Sequence, residues 1–170
     1  MAARSLVNFV LAIVIVLAVA GLGANAQARQ AKAAHTVQGF IGDIAKATKR
    51  NADFRHVLYT GKHLQLVLMS LDPGEDIGEE THRDVDQFFR IEEGRGEVVI
   101  EGRKTRVEGD DAILVPAGAK HNIVNTGREP LRFYTIYGPP EHEDRTVHVT
   151  KRDAAKAKER FDGKTTEPAR

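Results

Sequence analysis

The sequence predicts an all-β domain, a sandwich or closed barrel of about eight strands, with a short helix before it and a helical tail after it. Three observations carry this. Short apolar runs recur about every 8 to 15 residues from position 54 onward, with turn-forming residues between them. Fifteen glycines supply much of that punctuation. The chain has no cysteine, so its core must come from burial rather than from disulfides or zinc–thiolate clips, and thiol chemistry is excluded.

The N-terminus is a separate matter. Arg4 precedes an unbroken apolar run over 9–20, and small residues fill 21–26, ending in Ala24-Asn25-Ala26. A positive start, a run of about a dozen apolar residues and small residues before a cut are the layout of an export signal. Residues 1–26 therefore read as a signal peptide cleaved after Ala26, with Ala28 as a second choice, or as a retained membrane anchor. Either way the domain is expected outside the cytoplasm, periplasmic or secreted. Residues 27–35 are alanine-rich and polar, and read as a linker.

The domain itself is expected over 36–149. Residues 37–41 suggest a strand, Asp43 can cap a short helix through Arg50, and 54–59 is strand-like. Residues 64–71 are apolar on both faces, which suits a central strand. Asp72-Pro73-Gly74 is a turn, and the run 88–91 stops at Gly94. Strands over 97–100 and 104–107 flank the short connection at 101–103, as in a hairpin. Further strands are expected over 112–115, 121–125 and 131–137, each ended by Gly or Pro chemistry. Residues 150–161 favour helix but lack an apolar face, so a solvated, frayed helix is expected, with 165–170 disordered.

The net charge is +1, and removing Arg4 with the leader balances acids and bases. No basic stripe is present, which argues against nucleic-acid binding. The only serines, Ser5 and Ser70, lie in no nucleophile-elbow pattern.

Two polar clusters interrupt the strand pattern. Glu80 and His82 are two apart, so in extended chain they project from one face. If the strand at 121–125 lies beside them, His121 can point into the same interior. Alternation then sends Gln87, Phe89 and Ile91 inward with Ile123 and Asn125, and turns Phe88 and Arg90 outward.

As spaced, these residues resemble the two motifs of the cupin superfamily. Gly78, Glu80, His82, Gln87 and Gly94 match the first, and Pro116, Gly118, His121 and Asn125 the second. The glycine that opens the second motif is displaced, with Asp110 in its place and Gly109 one residue earlier. The motif core runs over 64–139. The resemblance implies a small double-stranded β-helix, or jelly-roll barrel, holding one divalent ion on Glu80, His82, Gln87 and His121. Two positions depart from the family's usual ligands: Glu80 replaces a histidine and Gln87 replaces a carboxylate. Two imidazoles and one carboxylate remain, a set that suits iron, manganese, nickel or zinc.

Phe89, Ile91, Ile123 and Asn125 would line the pocket, and Gly78, Gly94, Pro116 and Gly118 would shape the motif turns. The stretches 61–70 and 86–93 resemble the small cupins called mannose-6-phosphate isomerase-like, a label that fixes no reaction. The resemblance thus implies a metal-binding cupin that takes a small oxygen-rich ligand, an isomerase- or dioxygenase-type enzyme or a non-catalytic binding module. No catalytic base is evident near Gln87. Outward Phe88 suggests a covered face and a homodimer. His35, His56, His63, His142 and His148 fit no ligand spacing and are expected on the surface or in loops.

Overall fold

The computed structural model describes residues 39–167. The expected leader, 1–26, and linker, 27–35, lie outside the described residues, as do 36–38 and 168–170. Helix α1 (Ile44–Arg50) begins where Asp43 accepts a hydrogen bond from Lys46 N at 2.9 Å, and Lys49 and Arg50 close its last turn. That placement satisfies an orphan amide at one end and the helix dipole at the other. The strand expected over 37–41 is not formed at Gly39–Ile41. Gly39 takes φ +68, which breaks extended chain, and Ile41 is left almost fully exposed.

Among the described residues nine strands follow: β1 (Arg55–Thr60), β2 (Gln65–Leu71), β3 (Asp86–Glu93), β4 (Arg95–Ile100), β5 (Arg103–Glu108), β6 (Ala112–Val115), β7 (His121–Asn125), β8 (Leu131–Gly138) and β9 (Val147–His148). They form one sheet in the order β6-β3-β8-β2-β1-β9 and another in the order β5-β4-β7. The strand pairings within both sheets are antiparallel. An all-β jelly-roll barrel is the result, with β2 inside the larger sheet as its two apolar faces require. β9 is too short to have shown in the sequence pattern.

The inner faces of both sheets meet in a core that includes Val67, Met69, Phe89, Ile91 and Phe133 from one sheet and Val98, Val107 and Ile123 from the other. Strand alternation sorts the residues: in β3, Gln87, Phe89 and Ile91 are buried while Phe88 and Arg90 are half-exposed. β4 and β5 are joined by Glu101 (φ +48) and Gly102 (φ +76), a two-residue connection whose left-handed pair matches the strand twist. Gly94 combines φ +89 with a close approach, since a Cβ there would lie 2.6 Å from the Pro130 carbonyl oxygen. Asp110, at the displaced motif glycine, keeps the left-handed backbone, with φ +77. Arg90 holds it through both its carboxylate and its carbonyl.

The tail departs from expectation. Helix α2 (Lys151–Lys156) is capped by Thr150 and ends early, at Ala157. The chain beyond it returns to the barrel instead of fraying. Phe161 N donates to Glu141 O at 2.9 Å, Thr166 N to Thr60 O at 2.9 Å, and Thr60 N to Thr166 Oγ1 at 2.8 Å. The expected disorder over 165–170 is therefore corrected for 165–167, because these backbone bonds satisfy an otherwise open strand end.

Candidate metal centre

Residues 76–80 run irregularly beside β7, bridged at Asp76–Val124 and Glu80–His121. Glu80 N donates to His121 O at 2.9 Å and His121 N donates back to Glu80 O at 3.0 Å. Two residues on, the His82 carbonyl accepts from Gly118 N at 2.7 Å. Gly118, at φ +83, sits in the turn after Pro116, whose carbonyl accepts from Ala119 N. Gly78, at φ +94, lies in the segment before Glu80 and donates its N–H to Asp76. The motif turns thus hold Glu80, His82 and His121 by their backbones.

One donor atom from each of Glu80, His82 and His121 falls within 4.8 Å of the others. His82 Nε2 lies 3.3 Å from Glu80 Oε2, and His121 Nε2 lies 3.9 Å from the same oxygen. The fourth expected ligand is there too: Gln87 Oε1 is 3.0 Å from His121 Nε2, while its Nε2 donates to Thr135 Oγ1 at 3.1 Å. His121 Nδ1 lies 3.0 Å from the Ala119 carbonyl, and this oxygen and the Gln87 oxygen can both only accept, so a neutral ring satisfies one of them and leaves a lone pair facing the other. Ligands about 2.1 Å from an ion and at right angles are about 3.0 Å apart, so a cation between these acceptors is geometrically natural.

Electrostatics agrees with that fit. Burial pushes the Glu80 carboxyl up, but the His82 hydrogen bond and the charges of Arg55, His82 and His121 outweigh it and hold Glu80 below the ordinary value. His82 shows the reverse balance. Burial pulls its pKa down, yet the bond to Glu80, the Glu80 charge and Glu141 together raise it above the ordinary value. Tyr137 is fully buried, and burial with the Glu80 charge raises its hydroxyl well above the ordinary phenol range. It stays a neutral phenol.

The expected lining divides by depth. Phe89 packs its ring 6.0 Å from the His121 ring, and Ile123 is fully buried two residues along β7. Ile91 and Asn125 lie four residues from Gln87 and His121, about 13 Å along their strands at about 3.3 Å per residue. They belong to the far layer of the barrel, a correction to their place in the lining. Asn125 spends its amide on the Leu71 and Glu129 carbonyls and accepts from Gly127 N, tying turns together.

Sequence reasoning missed the surrounding residues. Arg55 Nη2 lies 3.7 Å from Glu80 Oε1, and Glu141 Oε1 lies 3.6 Å from His82 Nδ1. Tyr137 stands edge-on to the rings of both His82 and His142. His142 and His148, expected on the surface or in loops, are both buried, His142 in the loop before β9 and His148 in β9 itself. Alternation along β8 could have flagged Tyr137 as inward; nothing local marks Arg55, His142 or Glu159.

A family model described as a cupin domain matches residues 67–137. The uncharacterized protein YrkC of Bacillus subtilis is 52% identical over 126 residues, covering 71% of this chain and 68% of that protein. TcmJ of Streptomyces glaucescens, a tetracenomycin polyketide synthase protein, is 36% identical over 81 residues, covering 48% of this chain and 54% of that one. The crystal structure of BH2720 from Bacillus halodurans is 50% identical with a TM-score of 0.69, and covers 72% of this chain and 98% of that one.

Proposed function

The chain belongs to the cupin superfamily, and we propose that it is an exported member that holds one divalent ion on Glu80, His82 and His121, with Gln87 as a weak fourth ligand. The single observation behind this is the convergence of Glu80, His82 and His121 donors within 4.8 Å, with the Gln87 oxygen 3.0 Å from His121 Nε2. Iron, manganese, nickel and zinc all accept this donor set.

When bound, such an ion supplies Lewis acidity toward a chelating ligand. Phe89 and Ile123 back the site from the core, and Glu141, with a side chain about one-third exposed, lies on its solvent side. This suits a small hydroxy-carbonyl, enediol or carboxylate ligand, with isomerisation or oxidation as the reaction class. The polyketide association of TcmJ lends support, because polyketides carry chelating oxygens along their chain. A sugar phosphate fits less well despite the likeness to mannose-6-phosphate isomerase-like cupins, since the cation at the site, Arg55, already faces Glu80 and Glu159.

A non-catalytic binding module is the second reading. It is favoured by the engagement of the nearby groups: Glu141 lies against His82, Gln87 bonds Thr135, and Tyr137 remains protonated.

The test is elemental analysis of tag-free protein after incubation with each of the four metals. About one equivalent of bound metal is expected, and less than about a tenth of an equivalent for every metal overturns the centre. Two or more exchangeable waters on bound manganese, displaced by ligand, favour the enzyme; full coordination by protein favours the module.

Export, suggested by the leader at 1–26, and pairing into homodimers belong to the same proposal. On the outer sheet face Phe88 lies opposite Leu114, which is 73% exposed, and beside the Tyr134 ring at 6.1 Å. Light scattering at micromolar concentration should give twice the subunit mass; a single-subunit mass rejects pairing.

A further inference from the structure

The described residues contain four buried side-chain atoms that lack a hydrogen-bond partner, and three of them, Arg55 Nε, His142 Nε2 and His148 Nδ1, belong to one cluster. Arg55 and His148 are direct partners in the β1–β9 pairing. Glu159, carried back by the tail, joins Arg55 to His142: its Oε1 lies 3.7 Å from Arg55 Nη1 and 3.1 Å from His142 Nδ1, and its Oε2 accepts from Glu143 N at 3.2 Å. Orphaned buried polar atoms are rare, and three together call for a missing partner.

The fold goes to some length to place His142. Gln65 is fully buried, and its amide donates to His142 O at 2.8 Å while its oxygen accepts from His142 N at 3.0 Å and Glu141 N at 3.3 Å. Glu159 then sets the ring. Burial pushes the Glu159 carboxyl up, but His142, the Glu143 amide and Arg55 outweigh it and keep it ionised. A carboxylate can only accept, so Nδ1 of His142 carries a proton, and its Nε2 is left without a partner. Arg55 Nε, by contrast, can only donate.

Arg55 Nε can only donate, whereas His142 Nε2 donates or accepts according to its protonation, and the two groups flank the same carboxylate oxygen, so a group that both accepts and donates satisfies the pair in either state of the ring. We infer that Arg55 and His142, with His148 beside them, form a second subsite next to the metal centre that binds a hydroxyl group of the ligand. Arg55 links the two places, with Nη2 3.7 Å from Glu80 Oε1. The inference rests on the metal-centre reading and sharpens its ligand class: a metal-chelating oxygen at one end and an alcohol a few atoms away.

The test uses zinc-loaded full-length protein and hydroxamates, which chelate zinc through their own oxygens. Chains of two, three and four carbons that end in a hydroxyl are compared by calorimetry with chains of equal length that end in a methyl group. At one length the hydroxyl compound should bind at least about tenfold more tightly. His142→Asn keeps an N–H for Glu159 but has no atom at the Nε2 position. It should cut the preference below about threefold while zinc affinity stays within about threefold. Arg55→Lys, which keeps the charge and removes Nε, should also cut the preference, and decides the matter if the asparagine variant does not fold.

No hydroxyl preference at any length would mean that the cluster holds only a structural water, and would overturn the subsite. A preference that survives both substitutions would overturn it as well. Absence of zinc binding takes down the metal centre and the subsite together, whereas zinc binding without preference removes the subsite alone.

Discussion

The backbone N–H of Gly118 donates to the carbonyl oxygen of His82 at 2.7 Å. The turn that leads into β7 and places His121 therefore also fixes His82, 36 positions earlier in the chain. Histidines from two separate segments share this support, which adds to the reciprocal Glu80–His121 backbone bonds.

That support sets up a contrast between two glycines. Gly118 has φ +83 with open space around a Cβ, so Gly118→Ala should cost about 1 kcal/mol of backbone strain. Gly94→Ala meets both a left-handed φ and a Cβ contact of 2.6 Å with backbone, and should cost at least about 3 kcal/mol. Urea denaturation of both variants measures the difference. Gly118→Ala should in addition weaken metal binding, which Gly94→Ala, at a distance from the site, should alter less per unit of stability lost.

Ligand strength should follow ligand charge. His121→Ala removes a buried donor that three other groups are arranged around, and should lower metal affinity by at least about a hundredfold. Gln87→Leu should cost less than about tenfold, because a neutral amide oxygen is the weakest of the four. Gln87→Glu should tighten binding. Competition with a chelator of known strength reads all three.

Acid should release the metal at a higher pH than a free imidazole would predict. His82 is raised above the ordinary 6.5 by Glu80 and Glu141, and a proton on it competes with the ion. Affinity should fall as pH drops through that raised value, and Glu141→Gln should move the fall to lower pH. Metal titrations from pH 5.5 to 8.5, a range of about one to two units around the imidazole value, follow both curves.

The metal-free protein should respond to pH in its own way. The raised His82 contributes stability that is complete below its unfolded value, 6.5, and is lost as pH rises through the folded value. The lowered Glu80 contributes stability that is complete above its unfolded value, 4.5, and is lost as pH falls through the folded value. The pair therefore stabilises the apo fold most between 4.5 and 6.5, and thermal midpoints across pH 4 to 8, about one unit beyond each side, should peak there relative to Glu80→Gln.

Glu159→Ala should destabilise the protein although the residue lies in the tail. His142 Nδ1 and Glu143 N lose their acceptor and Arg55 loses one of its two carboxylates, a cost of about 1 to 3 kcal/mol. Urea denaturation checks it. A change below about 0.5 kcal/mol would mean that the tail is bound only by its backbone contacts.

Local pattern carried a large part of this molecule. Period-two alternation suffices to turn Gln87 and Phe89 inward and Phe88 outward, because side chains in a strand have only two faces to choose from. The run that becomes β7 begins and ends where its turn residues place it, and the spacing of Glu80, His82 and His121 brought the donors into one interior. What spacing could not convey was depth: Ile91 and Asn125 face inward but lie a layer away from the centre. Nor could it convey the tail. Glu159 meets Arg55 across 104 positions, and nothing near either residue encodes the other. Facing direction follows from the geometry of one strand and so is written in neighbouring residues. The company kept by Arg55, Glu159 and the buried His142 depends on how the sheets close and where the returning chain lies, and only the assembled fold decides that.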